Sequence, residues 1–211
     1  MRRRQLGAAL WMLSAVTLPA EIVAGLLAAP QYHWLHQTIS ELGIPAGTLG
    51  GMPMHSVLNL ALVLAGACLV AGTVLLLPSL GRGWRRGVGA GALLLCGAST
   101  AATGLIPLDV DVALHVLVSI PTLALAAVPG LALGPVLLRP GALRTVVLAV
   151  SVLALASGIV VGLWIEAPLP GLLERVAVWP TTVIIALLGV ALVGRLPAQA
   201  AERSASVGAA E

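Results

Sequence analysis

Apolar residues gather into six long stretches along this 211-residue chain, at approximately 6–29, 55–78, 87–107, 112–138, 145–165 and 176–194, with short polar connections between them. About twenty residues of helix cross a hydrocarbon layer of roughly 30 Å. The pattern predicts an all-α fold: a polytopic transmembrane bundle of six helices occupying residues 1–195, with a disordered tail at 196–211 rich in Ala and Ser. The first stretch follows a basic start, MRRRQ, as a secretory signal would. Its length and the presence of Glu21 point instead to an uncleaved first span. Pro121 and Pro129 interrupt the fourth stretch and should kink it. Runs such as GAGALLLCGAS in the third stretch and SVLALASG in the fifth predict helices whose backbones approach closely.

Composition sharpens this picture. The chain is 59% hydrophobic and 9% charged, with a mean hydropathy of +1.07, too little polar surface to enclose a soluble core. The net charge of +3 does not indicate nucleic acid, because the basic residues are spread over the connections between spans. Ten of the eleven arginines (2, 3, 4, 82, 85, 86, 139, 144, 195 and 203) fall on one side of the predicted bundle, and only Arg175 falls opposite. The positive-inside rule then puts both termini in the cytoplasm. The absence of Lys and Phe, with Ala, Leu, Val and Gly dominant, fits a GC-rich bacterial genome and thus a multi-pass protein of the bacterial inner membrane. Cys68 and Cys96 both fall in mid-span, where they read as small buried hydrophobes with no disulfide or zinc pattern.

Nearly every group able to do chemistry falls on the side opposite the arginines. Asp111 and His115, four apart at the start of the fourth span, share a helical face, and a carboxylate so placed can orient an imidazole as base or metal ligand. Asp109 adds a second carboxylate, although either aspartate can equally cap the helix. His55 and Asn59 stand four apart on the second span, where Asn59 needs a hydrogen-bonding partner. The spacing permits His55, Asp111 and His115 to converge on zinc without demanding it, and no cofactor is otherwise implied. Glu21 lies about 12 Å below the end of the first span at helical rise. It should be neutral, paired or facing a wet cavity, and Arg175 is the available cation, for which Glu41, Glu166 and Glu174 compete. The Glu174–Arg175 pair, placed in the link before the sixth span, also reads as a clamp between loops. The HWLH segment, with His33, His36, Tyr32 and Trp34, reads first as an interfacial aromatic belt. Ser40 and Glu41 lack the glycine elbow that supports a serine nucleophile. No phosphate loop and no aspartate-rich diphosphate motif is present.

Taken together, TISELG at 38–43, GLIPLDVDVALH at 104–115 and GLLERVAVW at 171–179 resemble the bacterial domain-of-unknown-function family 998, small integral membrane proteins of about six helices. The resemblance covers nearly the whole chain. It implies a residue set of Ser40, Glu41, Gly43, Pro107, an aspartate at Asp109 or Asp111, His115, Gly171, Glu174 and Arg175, and no established reaction. This chain departs in having Ile106 where an aromatic commonly precedes the proline, and in the short interval from Pro107 to His115.

The expected activity is an intramembrane acid–base enzyme, a hydrolase or a cyclase/isomerase, acting on a lipid or isoprenoid-like substrate. Its catalytic groups would be Asp109 or Asp111 with His115, helped by His55, Glu41 and Glu174, and its substrate contacts Ser40, Asn59, Arg175 and Glu21. Two alternatives stand beside it: a non-catalytic accessory or binding protein whose polar groups are structural clamps, and a small proton-coupled transporter. The bilayer is the expected partner, with an apolar or lipid-like small molecule, and oligomeric state is left open.

Overall fold

The computed structural model describes residues 2–28, 31–45, 54–163 and 168–208, with side chains described as far as Gly194. Its helices are α1 (Arg2–Leu13), α2 (Thr17–Ala28), α3 (His55–Leu80), α4 (Trp84–Leu105), α5 (Val112–Leu125), α6 (Val128–Leu137), α7 (Ala142–Leu163) and α8 (Pro170–Gly208). A 3-10 turn at Ser14–Val16 joins α1 to α2, and a second, Ser40–Gly43, lies between α2 and α3. Six segments are long and apolar enough to cross a membrane: Arg2–Ala28, α3, α4, Val112–Leu137, α7 and Pro170–Gly194. Even the shortest, of 22 residues, reaches about 33 Å at helical rise. Leu26, Leu64, Leu117 and Leu153 are more than half exposed or nearly so, an outward hydrocarbon surface suited to lipid. The protein is a multi-pass helical membrane protein.

Several helix boundaries shift by two or three residues from the sequence expectation, and among the starts those of the first and last helices shift furthest. The first helix begins at Arg2 rather than at 6, because arginine is a good helix former and its long side chain need not follow the backbone into lipid. The last begins at Pro170 rather than at 176. Proline suits a helix start, since its fixed φ is helical and its missing N–H would have had no partner there. That earlier start places Glu174 and Arg175 on the opening turns of α8 rather than in a link.

Small residues set the closest approaches. A Cβ on Gly97 of α4 would lie 2.9 Å from the Gly66 carbonyl of α3, and one on Gly104 would lie 2.5 Å from the Asn59 carbonyl. The arginine-rich half of the bundle holds a hydrophobic core in which Trp11, Leu76, Leu93, Leu133 and Leu188 are fully buried. Trp11 Nε1 donates to Thr73 Oγ1 at 3.1 Å, so the one polar atom of the indole is satisfied.

The fourth span is broken, as its prolines predicted, but the two prolines act differently. Pro129 sits in the first turn of α6, where it starts a helix rather than bending one. Pro121 lies inside α5 and disturbs its hydrogen-bond ladder. Ser99 of α4 fills that gap: its hydroxyl donates to Val118 O at 2.5 Å and accepts from Thr122 N at 3.1 Å. Thr122 also meets Thr100 across the same seam, with 3.1 Å between their hydroxyls. The seam ties α5, which carries His115, to α4. Cys96 joins it as a buried thiol 3.6 Å from Pro121 O, and Cys68 is half-buried; both are free.

Candidate active site

The connection at residues 31–45 folds back over the bundle end opposite the arginine-rich turns, and side chains of its neighbours hold it there. Glu41 Oε2 accepts from Thr38 N at 2.6 Å and from Thr38 Oγ1 at 3.0 Å, which closes the start of the Ser40–Gly43 turn. Glu174 of α8 accepts from Ile39 N at 2.7 Å. Asn59 Nδ2 of α3 donates to Gly43 O at 2.9 Å. Gly43 leaves room for that side chain: a Cβ there would lie 2.5 Å from Asn59 Oδ1 and displace it. Ser40 is thereby fixed from α3, from α8 and from within its own turn.

Arg175 organises one of two polar clusters under this cover. Its Nε donates to Glu21 Oε1 at 2.9 Å, and both side chains are almost wholly buried. Its Nη1 faces three carbonyls, Trp34 at 2.6 Å, Gln37 at 3.0 Å and Gly171 at 2.9 Å, and its Nη2 donates to the Tyr32 hydroxyl. Tyr32 in turn donates to Thr38 O at 2.8 Å. Trp179 Nε1 donates to Glu21 Oε2 at 2.8 Å, so each oxygen of the buried carboxylate has a partner. The guanidinium also lies over the Trp34 ring, 4.9 Å from its centroid. Burial, partly offset by Arg175, pushes the Tyr32 hydroxyl above the usual tyrosine range and keeps it a neutral donor. A buried ion pair persists when extra hydrogen bonds satisfy its remaining donors and acceptors, and here they do.

The second cluster is built on His115, itself buried at the start of α5. Its Nδ1 lies 2.6 Å from Ile106 O, and its Nε2 lies 2.9 Å from Ser40 Oγ. A carbonyl oxygen can only accept, so Nδ1 carries the proton. In the neutral ring Nε2 is then the acceptor, and the Ser40 hydroxyl donates to it. Position 106 thus contributes through its backbone, so an aliphatic residue there retains the function of the carbonyl.

Ser40 and His115 line a cavity bounded by α2, α3, α4, α5 and α8. Its volume is about 90 Å³. Glu174, Asn59, Gly43 and Glu21 share its upper wall with the Ser–His pair. Lower down it is lined by Leu62, Leu69, Cys96, Thr100, Thr122, Thr181, Thr182 and Ile185. Several of the hydroxyls there are tied to their own helices, as in Thr181 to Ala177 O at 3.0 Å and Thr182 to Val178 O at 2.9 Å. What they present to the cavity is therefore largely hydrocarbon.

Several sequence expectations are corrected by this geometry. Asp111 does not orient His115: its carboxylate accepts from Leu114 N at 2.9 Å and caps α5, leaving Nδ1 to the Ile106 carbonyl. Asp109 and Asp111 are both exposed and outside the cavity. His55 Nε2 pairs with Ser56 Oγ at 2.9 Å rather than with Asn59. His55, Asp111 and His115 therefore do not converge, and among the described residues no three His, Cys, Asp or Glu side chains are grouped to hold a metal. Glu41 serves its own turn, while Glu21 is the carboxylate that takes Arg175. Glu174 and Arg175 do clamp the loop, through Ile39 N and through the carbonyls of Trp34 and Gln37. Tyr32 and Trp34 belong to this buried cluster rather than to an exposed aromatic belt alone. His33 and His36 are exposed, and Glu166 lies outside the described residues. The sequence reading missed the Ser40–His115 pair. The one available signal was the joint appearance of TISELG and GLIPLDVDVALH, which places both residues at the same end of the bundle.

No curated protein and no solved structure matches the chain. The profile of the family described as "Protein of unknown function (DUF998)" matches residues 7–191, from within the first span to within the last, and so takes in both polar clusters and the four spans between. The chain belongs to that family.

Proposed function

We propose that this protein is an intramembrane acyl-ester hydrolase in which Ser40 is the nucleophile and His115 the general base. The observation that carries the reading is the tautomer forced on His115: with Nδ1 donating to Ile106 O, Nε2 is left to accept the Ser40 proton at 2.9 Å. Ser40 Oγ would attack the ester carbonyl and pass its proton to Nε2. The ester C–O bond then breaks, and Nε2 protonates the departing alcohol. Water attacks the acyl-Ser40 carbonyl, gives a proton to Nε2 and releases the carboxylic acid, and the serine recovers that proton. The backbone carbonyl at 106 orients the ring as a triad carboxylate would, without supplying a negative charge. The position of the pair at the top of a largely apolar cavity inside the spans supports an amphiphilic substrate, with the ester at the boundary between head and tail.

The exposure and capping role of Asp109 and Asp111 support a nucleophilic route over a carboxylic-acid-initiated cyclisation. The hydrophobic core beneath the cavity supports a site with one end over a continuous transport path. Arginine placement supports insertion with the Ser–His pair on the outer side of a bacterial inner membrane. Labelling of single cysteines introduced at Asp109 and at Trp84 tests that orientation: only position 109 should react with an impermeant maleimide in intact cells.

The function is tested with a fluorophosphonate probe on membranes containing the full chain. Labelling should map to Ser40 and disappear in Ser40→Ala and His115→Gln, with both variants still present in the membrane. Normal protein levels with no labelling of the unsubstituted chain would sink the hydrolase reading.

A further inference from the structure

The charge balance of the cavity limits what head group can sit there. Its wall holds the Glu174 carboxyl group, the Glu21 carboxyl group paired with Arg175 behind it, the His115 ring and no guanidinium. Arg175, the one arginine at this end of the bundle, is not part of that wall. Its donors face the Glu21 carboxylate, three backbone carbonyls and the Tyr32 hydroxyl. The remaining arginines belong to the opposite half of the chain's topology, and the residues outside the described set between 46 and 53 and between 164 and 167 include no Lys, Arg or His. An anionic head would therefore lose its hydration beside Glu174, and the one nearby cation, Arg175, is already committed to Glu21. A hydroxyl or ammonium head instead supplies hydrogen-bond donors, which a carboxyl oxygen accepts in either protonation state.

Size adds a second restriction. At about 90 Å³ the cavity is well below the roughly 300–1,000 Å³ of pockets that enclose drug-sized ligands. It has room for part of one narrow hydrocarbon chain, lying along Leu62, Leu69 and Ile185, and not for two side by side.

We infer that the site takes a single-chain acyl ester whose head is uncharged or cationic, such as a polyol or an amino alcohol, and rejects esters with phosphate or carboxylate heads. The inference rests on the hydrolase reading for the bond that is cleaved, but the head-group preference is a property of binding and is tested separately. The full chain in detergent micelles is offered three esters of one acyl chain: 1-octanoylglycerol, octanoylcholine and 1-octanoylglycerol 3-phosphate. Release of octanoate from the first two should exceed release from the third by at least about tenfold. The same three compounds are titrated against Ser40→Ala, with protection from thermal unfolding as the readout, so that affinity is measured without turnover. A phosphate-headed compound that binds Ser40→Ala as tightly as the other two overturns the head-group inference, whatever the activity. If the binding order holds while no octanoate appears and Ser40 resists the fluorophosphonate, the hydrolase reading falls and the head-group preference stands. A third arm uses 1,2-dioctanoylglycerol: binding equal to that of the single-chain glyceride would overturn the one-chain limit.

Discussion

The two polar clusters at this end of the bundle are neighbours with opposite design. Around Arg175 every strong partner is already present: two donors for the Glu21 carboxylate, five acceptor contacts for the guanidinium, and a tyrosine that both donates and accepts. Such a cluster is closed, and its chemistry is used in holding α2, α8 and the 31–45 connection together. Around His115 the arrangement ends at a hydroxyl that faces a cavity. The difference teaches that burial of ionisable groups in a membrane does not by itself identify a site. Glu21 and Arg175 are the more conspicuous residues in the sequence, yet Ser40 and His115 are the pair that opens on the cavity.

Breaking the first cluster should have the largest effect. Arg175→Ala leaves Glu21 buried without its counter-charge, so about 3–5 kcal/mol of stability should be lost. Thermal unfolding in micelles measures this, and Arg175→Met combined with Glu21→Gln should recover part of it, because the stranded charge is gone. Equal instability of the single and double variants would contradict the ion-pair account.

Breaking the second cluster should separate activity from stability. His115→Gln removes the proposed general base, so on the hydrolase reading turnover should fall by about a thousandfold or more. Loss of its two hydrogen bonds should change stability by only about 1–2 kcal/mol. If the activity loss merely tracks the loss of folded protein, His115 is another clamp and the contrast disappears.

Gly43→Ala lies between the extremes. The added methyl displaces Asn59 and shifts the turn that carries Ser40, at about 1–2 kcal/mol and roughly tenfold in rate. A parallel Asn59→Ala should reproduce the rate loss if the turn's position is what matters. The smallest effect belongs to Asp111→Ala. It removes the cap of α5 for about 1 kcal/mol and should leave hydrolysis nearly unchanged. A severe loss of activity in this variant, at normal stability, would restore Asp111 as the residue that orients His115.

Some of this was legible in the residues and some was not. Proline spacing announced a broken fourth span, but not that Ser99 from another helix would fill the gap at Pro121. The isolated Arg175 and the mid-span Glu21 announced each other, since a lone cation and a lone carboxylate in lipid each need a partner. Which carboxylate would win was not legible, because Glu41 and Glu174 were equally near by topology and differ only in what backbone they meet. The i,i+4 spacing of Asp111 and His115 suggested a pair that the structure does not form. A helix start offers an aspartate an unpaired N–H close at hand, and that local bond won over the imidazole.

Hydropathy and arginine distribution alone determined that six helices cross a membrane and that the chemistry collects at one end. Those are consequences of transfer from water to lipid, which acts residue by residue and needs no knowledge of neighbours. Contact between Ser40 and His115, 75 residues apart, was decided only by tertiary structure. It depends on α5 tied to α4, on a turn held by α3 and α8, and on a carbonyl at position 106 that has no side-chain signature. Hydrogen bonds are directional and short, so only the assembled bundle could align them.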